Sequence, residues 1–342
     1  MRRRILAFCV LLALFSGIGV SQSDEEKWIR DRAKTLAKDR DAKERAEAAR
    51  WLGGRKNPEA VAALAKALSD PEASVREAAA SALWDTGEAA IAAKPELTKT
   101  LGDSDAAVVA RAAGALAAMD VPQAELAEAW RRALEGARDD ATAFLAARGL
   151  IGIDRPEKLA PPILTFLAKR AEAGARSGRY KDEDSKSAEN AGKALERLLA
   201  KDAAPLLPLL DRTVAQSPNS GRYVLGALAS IKTVPPGAVD LALSHTRSPV
   251  AETRYAAIKL AGKVTSERQA ARWIPEAIRL LGDPDESVRM EACWSLKEVR
   301  GLAHEAAPEL TRLLAGDPSM SVRARAAASL EEIGNATNPI SK

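Results

Sequence analysis

The chain has 342 residues, 46% of them apolar, 29% charged and only 4% aromatic, with a formal net charge of +4. That balance falls to about +1 once the three arginines of an N-terminal leader are removed, so it supplies none of the strongly basic field that nucleic-acid binding needs. Cys9 lies in the same leader, which leaves Cys293 as the single thiol of the mature chain and excludes an internal disulfide.

Arg2, Arg3 and Arg4 precede an apolar run from Ile5 to Val20, and small and polar residues then lead to Asp24. A basic start, a hydrophobic middle and a small-residue exit read as a signal peptide over residues 1–23, with cleavage near Ser21 to Ser23. The run is 16 residues, short of the roughly 20 that span a bilayer, so no stable membrane span is expected after cleavage. The expected location is the periplasm or the exterior.

From Glu25 onward apolar residues recur at helical spacing, in segments broken by Gly, Pro or Asp. Leucine-rich first helices are predicted over Pro58–Leu68, Ile91–Leu101, Gln123–Leu134, Pro205–Val214, Ile274–Leu281 and Ala307–Leu314. Alanine-rich second helices are predicted over Ser74–Trp84, Ala106–Met119, Ala251–Gly262, Glu286–Val299 and Ser319–Ile333. Residues 171–190 are rich in Gly, Ser and charge and read as a longer turn inside an irregular unit. Residues 335–342 show no periodicity and are expected to form a disordered tail.

One phrase recurs through these segments. Asp70-Pro71…Arg76…Leu83, Asp283-Pro284…Arg289…Leu296 and Asp317-Pro318…Arg323…Leu330 share it entire, and Asp39, Asp103 and Ser248 begin weaker copies. Successive marks lie 31, 33, 35 and 34 residues apart, which signals a stack of like supersecondary units. Ala79-Ala80, Ala112-Ala113 and Ala326-Ala327 occupy one slot, where a small side chain lets neighbouring helices approach closely. Val75, Val108, Val288 and Val322 stand a turn earlier, completing an apolar stripe that only stacking can cover. Asp at the turn and Arg six residues later recur in step (Asp70 with Arg76, Asp283 with Arg289, Asp317 with Arg323), so stacked copies should align them into a ladder of charge-assisted hydrogen bonds.

The residues Asp70-Pro71, Val75-Arg76, Ala79-Ala80 and Leu83, with their counterparts, resemble the HEAT repeat, and more closely the HEAT-like repeats named for phycobilisome lyases. Clear matches cover roughly 39–119 and 248–334. The resemblance implies an all-α fold, an α-solenoid of about nine helix pairs over residues 24–334 wound as a right-handed superhelix, with second helices on the concave side.

Reactive constellations are missing from the sequence. There is no Gly-x-Ser-x-Gly, Gly-x-Gly-x-x-Gly or phosphate-binding Gly-x-x-x-x-Gly-Lys-Ser/Thr. His245 and His304 are the only histidines, and with one mature thiol they cannot fill a four-position zinc site. His245 reads as a partner for the last carbonyls of its helix. His304-Glu305 is one dipeptide where the iron-binding deoxyhypusine hydroxylases carry several. No catalytic residue, metal or cofactor is therefore expected.

Function should lie on a surface instead. On the second helices, the position after the motif Arg and those a turn and two turns beyond share one face. Down the stack this face carries Trp84, then Tyr255 and Lys259, then Met290, Trp294 and Lys297. In a chain so poor in aromatics these residues mark a contact patch for a protein or peptide. Packing between repeats is the competing account of Met290 and Trp294. The expected function is that of an exported, non-catalytic scaffold with no nucleic-acid partner. The alternatives are an enzyme of the same fold (glycosylase-like or lyase-like) and a subunit that regulates an enzyme.

Overall fold

A computed structural model describes residues 22–177 and 182–337. The leader up to residue 21 and the last five residues of the tail lie outside the described residues. Among the described residues the chain is all helical, with one isolated β-bridge between Ile151 and Asp154 in a turn. The fold class is that of an α-solenoid, and its contacts divide it into two units, residues 1–149 and 150–342.

Unit 1 contains α1 (Gln22–Lys38), α2 (Ala42–Leu52), α3 (Pro58–Ala67), α4 (Ala73–Thr86), α5 (Lys94–Thr100), α6 (Ala106–Ala117), α7 (Gln123–Glu135) and α8 (Asp140–Gly149). Unit 2 contains α9 (Pro156–Ser177), α10 (Glu183–Leu199), α11 (Leu207–Gln216), α12 (Gly221–Ser230), α13 (Ala238–His245), α14 (Ala251–Gly262), α15 (Glu267–Leu280), α16 (Glu286–Glu298), α17 (Ala307–Gly316) and α18 (Met320–Thr337). Odd-numbered helices are the first members of successive pairs and even-numbered helices the second. Most neighbouring second helices press closely on one another, whereas most first helices touch along fewer residues; in unit 1, α6 and α8 are an exception.

Small side chains cause that asymmetry. Ala79, Ala80, Ala112 and Ala113 are fully buried, as are Val75, Val108, Val288 and Val322. Leu83 and Leu296 complete the same stripe without exposure, and each such leucine is worth about 1.5–3 kcal/mol of burial. In α18 the equivalent Ala327 and Leu330 are only half-buried, because among the described residues no further pair stacks against that helix.

Helix starts follow local chemistry. Asn57 accepts hydrogen bonds from the Glu59 and Ala60 amides at 2.8 and 3.2 Å, with Pro58 in the first turn, where a missing N–H costs nothing. Asp105 and Asp285 cap α6 and α16 in the same manner.

Three expectations are corrected. Helix α15 begins at Glu267, seven residues before the predicted Ile274, and runs through Pro275. Its stripe of Ala270, Trp273, Ile274 and Ala277 is buried on both sides of the proline, which outweighs the lost backbone bond. Of the long turn expected over 171–190, residues 178–181 lie outside the described residues, and the described remainder is helix apart from Asp182. Residues 171–177 complete α9, and residues 183–190 start α10. Arg170 and Asp184 pair at 2.8 Å, Asp182 caps the Ser185 amide at 2.7 Å, and Gly174 leaves room for Ser185, so polar residues here fasten two helices together. Finally, α18 extends to Thr337, three residues into the segment expected to be disordered.

Candidate interaction surface

The recurring Asp and Arg meet between neighbouring pairs. Arg76 donates through Nε and Nη2 to the Asp103 carboxylate at 2.7 and 3.0 Å, and through Nη1 to the Asp70 carbonyl at 2.9 Å. Arg45 treats Asp70 likewise at 2.8 and 2.7 Å, and Arg254 treats Asp283 at 2.7 and 2.8 Å. Arg289 reaches Asp317 at 2.8 and 3.1 Å. Each fork thus braces its own turn and grips the carboxylate of the next. Arg323 bonds the Asp317 and Pro318 carbonyls, at 2.6 and 3.3 Å.

Each carboxylate also accepts a backbone amide two residues on, as Asp70 does from Glu72 at 3.0 Å. Burial works to raise the carboxyls of Asp70, Asp103, Asp283 and Asp317. The arginine forks and amides outweigh it and hold all four below the usual carboxylate range. The ladder arginines are thereby engaged in structure, with their charge turned inward.

The second-helix face of unit 2 carries the candidate residues Tyr255, Lys259, Met290, Trp294 and Lys297. Trp294 is 40% exposed, unusual for so large a side chain in a tightly stacked array. Two cations flank its ring: the Lys297 ammonium at 5.3 Å from the centroid, and the Arg325 guanidinium of α18 at 4.6 Å. Tyr255 lies one helix back with Lys259 at 5.8 Å, and Met290 is half-buried beside them on α16.

Sequence reasoning missed Glu291, whose carboxyl lies near the Tyr255 phenol. Burial pushes that carboxyl upward, against the Tyr255 hydroxyl and the charges of Lys259, Arg325 and Lys263. Burial raises the Tyr255 phenol too, reinforced by the Glu291 charge. Glu291 and Arg325 both stand two residues past the motif Arg, a slot that holds Ala78 and Ala256 in two other copies and Glu47 after Arg45.

Trp84 belongs to unit 1, and its surroundings differ. Its ring fills the space left by Gly114, where a Cβ would stand 2.9 Å from the ring carbons, and Arg148 lies 5.5 Å from its centroid. Trp51, which sequence reasoning passed over, sits between Arg32 at 5.6 Å and Arg55 at 3.5 Å. Trp130 and Trp273 are buried anchors, and Trp273 donates to the Val264 carbonyl at 3.1 Å.

The reactive side chains are held apart from this face. Burial pushes the Cys293 thiol up to about 12, leaving almost no thiolate at neutral pH. His245 is buried with Nε2 2.9 Å from Asp211 Oδ1, off the line of a hydrogen bond, and so faces the preceding pair instead of its own helix end. His304 Nδ1 lies 3.3 Å from the Gly301 carbonyl. Among the described residues no three His, Cys, Asp or Glu side chains converge as a metal cluster, and no helix is long and apolar enough to cross a membrane.

Comparison with known proteins agrees with the repeat geometry. The sequence signature described as HEAT repeats matches residues 29–117 and 239–331, more than half of the chain. No curated protein of known function matches in sequence. Among known structures, a homology model of the full-length AP-3 complex is 14% identical, with a TM-score of 0.56 over 94% of this chain and 65% of the matched one. A structure of Kap95p binding RanGDP is 12% identical, with a TM-score of 0.50 over 92% of this chain and 45% of the matched one. Kap121p is 16% identical, with a TM-score of 0.43 over 95% of this chain and 43% of its own. The chain spans less than half of either Kap protein, and likeness at these identities speaks for the fold alone. With the period, the arginine forks and the matched signature in agreement, the chain belongs to the HEAT-repeat family.

Proposed function

We propose that this chain is an exported, non-catalytic interaction module that holds a protein or peptide on the second-helix face of unit 2. The observation that carries this reading is Trp294, 40% exposed and held between Lys297 and Arg325 in a chain with few aromatics. A large ring already fixed by flanking cations loses little freedom when a partner covers it, as at interface hot spots. Tyr255, Lys259 and Met290 extend the patch with a polar edge and an adaptable apolar side chain.

The residue order of positions 1–23 supports export, with the mature chain starting after Ser21 to Ser23. The structure of Kap95p with RanGDP describes a protein of like fold that binds another protein. Here that supports the class of role and names no partner.

The test compares the mature wild-type chain with the Tyr255→Ala, Trp294→Ala double variant as bait in an envelope extract. Both side chains are at least partly exposed, so helical content should be unchanged by circular dichroism. The expected result is a species retained by the wild type and lost from the variant. Equal retention by both would remove the patch from consideration.

A further inference from the structure

The first-helix side of unit 1 carries a different feature. Because first helices touch along fewer residues, clefts open between them. One of about 890 Å³ lies between α3 and the segment from Ala89 to Asp103. A second of about 480 Å³ lies between α1 and α3. They share Ala62, Lys66 and Ser69, so the small exposed Ala62 forms a saddle joining them into one groove.

The charges along this groove are lopsided. Arg30, Lys34, Lys38, Lys56, Lys66 and Lys99 line it. Lys34 stands 3.9 Å from Asp31, and the other five enter no ion pair among the described residues. Of the four lining carboxylates, Asp70 and Asp103 are already gripped by Arg45 and Arg76, which leaves only Glu59 and Glu96. Unit 2 treats the same slot differently. Lys66 and Lys99 each stand four residues before a ladder Asp, as Arg279 does before Asp283. Arg279 pairs with Glu276 at 2.6 Å, a carboxylate that also takes Arg247 at 2.7 Å, and donates to the Thr246 carbonyl at 2.9 Å. Lys66 and Lys99 have no such carboxylate partner among the described residues.

We propose that this groove binds an extended acidic peptide segment, its carboxylates meeting the lysines and its smaller side chains lying over Val61, Ala62 and Ala65. Helices pack about 8–10 Å apart, so a path across α1, α3 and α5 is roughly 16–20 Å, the length of about six extended residues. A nucleic acid fits less well, since the apolar floor would gain nothing from a phosphate backbone and Glu59 and Glu96 would repel it. This surface is separate from the Trp294 patch, so either can fail without the other.

The probe is a fluorescein-labelled decapeptide of alternating Glu and Ala, titrated with the mature full-length chain and read by fluorescence anisotropy at low salt. Lys66→Glu with Lys99→Glu should weaken binding at least about tenfold, with circular dichroism showing the helices intact. Lys259→Glu on α14 of unit 2, and the Tyr255→Ala, Trp294→Ala variant, should bind this peptide as the wild type does. The proposal is overturned if the wild-type chain does not bind the peptide, if Lys259→Glu weakens binding as much as the groove variant, or if duplex DNA displaces the probe more readily than unlabelled peptide.

Discussion

Removing one arginine fork should cost far more than removing a surface charge. Arg289 and Asp317 have side chains only 11% and 3% exposed, and Arg289 makes four hydrogen bonds: two to Asp317 and one each to the Asp283 and Pro284 carbonyls. Arg289→Ala leaves the Asp317 carboxylate buried with the Ser319 amide at 2.8 Å as its main remaining support. Breaking a buried pair by deleting one partner costs about 3–5 kcal/mol. In a stacked array the loss should appear first as detachment of α17 and α18 from α16. Urea unfolding followed by far-ultraviolet circular dichroism measures the cost, and limited proteolysis locates it. The Arg289→Ala, Asp317→Ala double variant should lose less than the two single variants combined, since the two residues act as one. Arg312→Ala, which removes an exposed partner of Glu309 on the same repeat, should leave the midpoint unchanged. A loss below about 1 kcal/mol for Arg289→Ala would refute the reasoning, placing the ladder among ordinary exposed ion pairs.

The same ladder fixes a direction for pH. The four carboxyls lie below their unfolded value near 3.9, so their contribution is complete above that pH and vanishes as pH falls through the depressed values. Stability measured in urea should drop below about pH 4, and Arg289→Ala should drop less steeply than the wild type. Gly149→Ala should destabilise unit 1 by about 1–3 kcal/mol in thermal melts, because a Cβ there would sit 2.3 Å from the buried Trp130 ring. Cys293 should react with a disulfide reagent at pH 8 about a thousandfold more slowly than an ordinary thiol, and at the ordinary rate once the chain is unfolded in urea.

Much of the fold was legible in the sequence because its period is written in residues with fixed jobs. Asp-Pro ends a helix, Ala-Ala marks a close crossing, and the bounds of Ala251–Gly262 follow from the spacing alone. Less legible was anything that depends on which side chains meet across the stack. Glu291 and Arg325 look like solvated charges in a one-dimensional reading, and only the α14–α16–α18 contacts bring them to Tyr255 and Trp294. Residues 171–190 looked like a turn because Gly, Ser and charge are shared by loops and by polar helix faces. The lysine groove was hidden for another reason: overall charge averages away a local excess.

The reading of Trp294 as a working surface is tested most directly by site-specific photocrosslinking. A benzoylphenylalanine placed at Met290, on the half-buried margin of the patch, should capture a partner in the native envelope fraction. Excess unlabelled wild-type chain should compete that product away, and the Tyr255→Ala, Trp294→Ala variant should not. Competition by the double variant as effective as by the wild type would contradict the account.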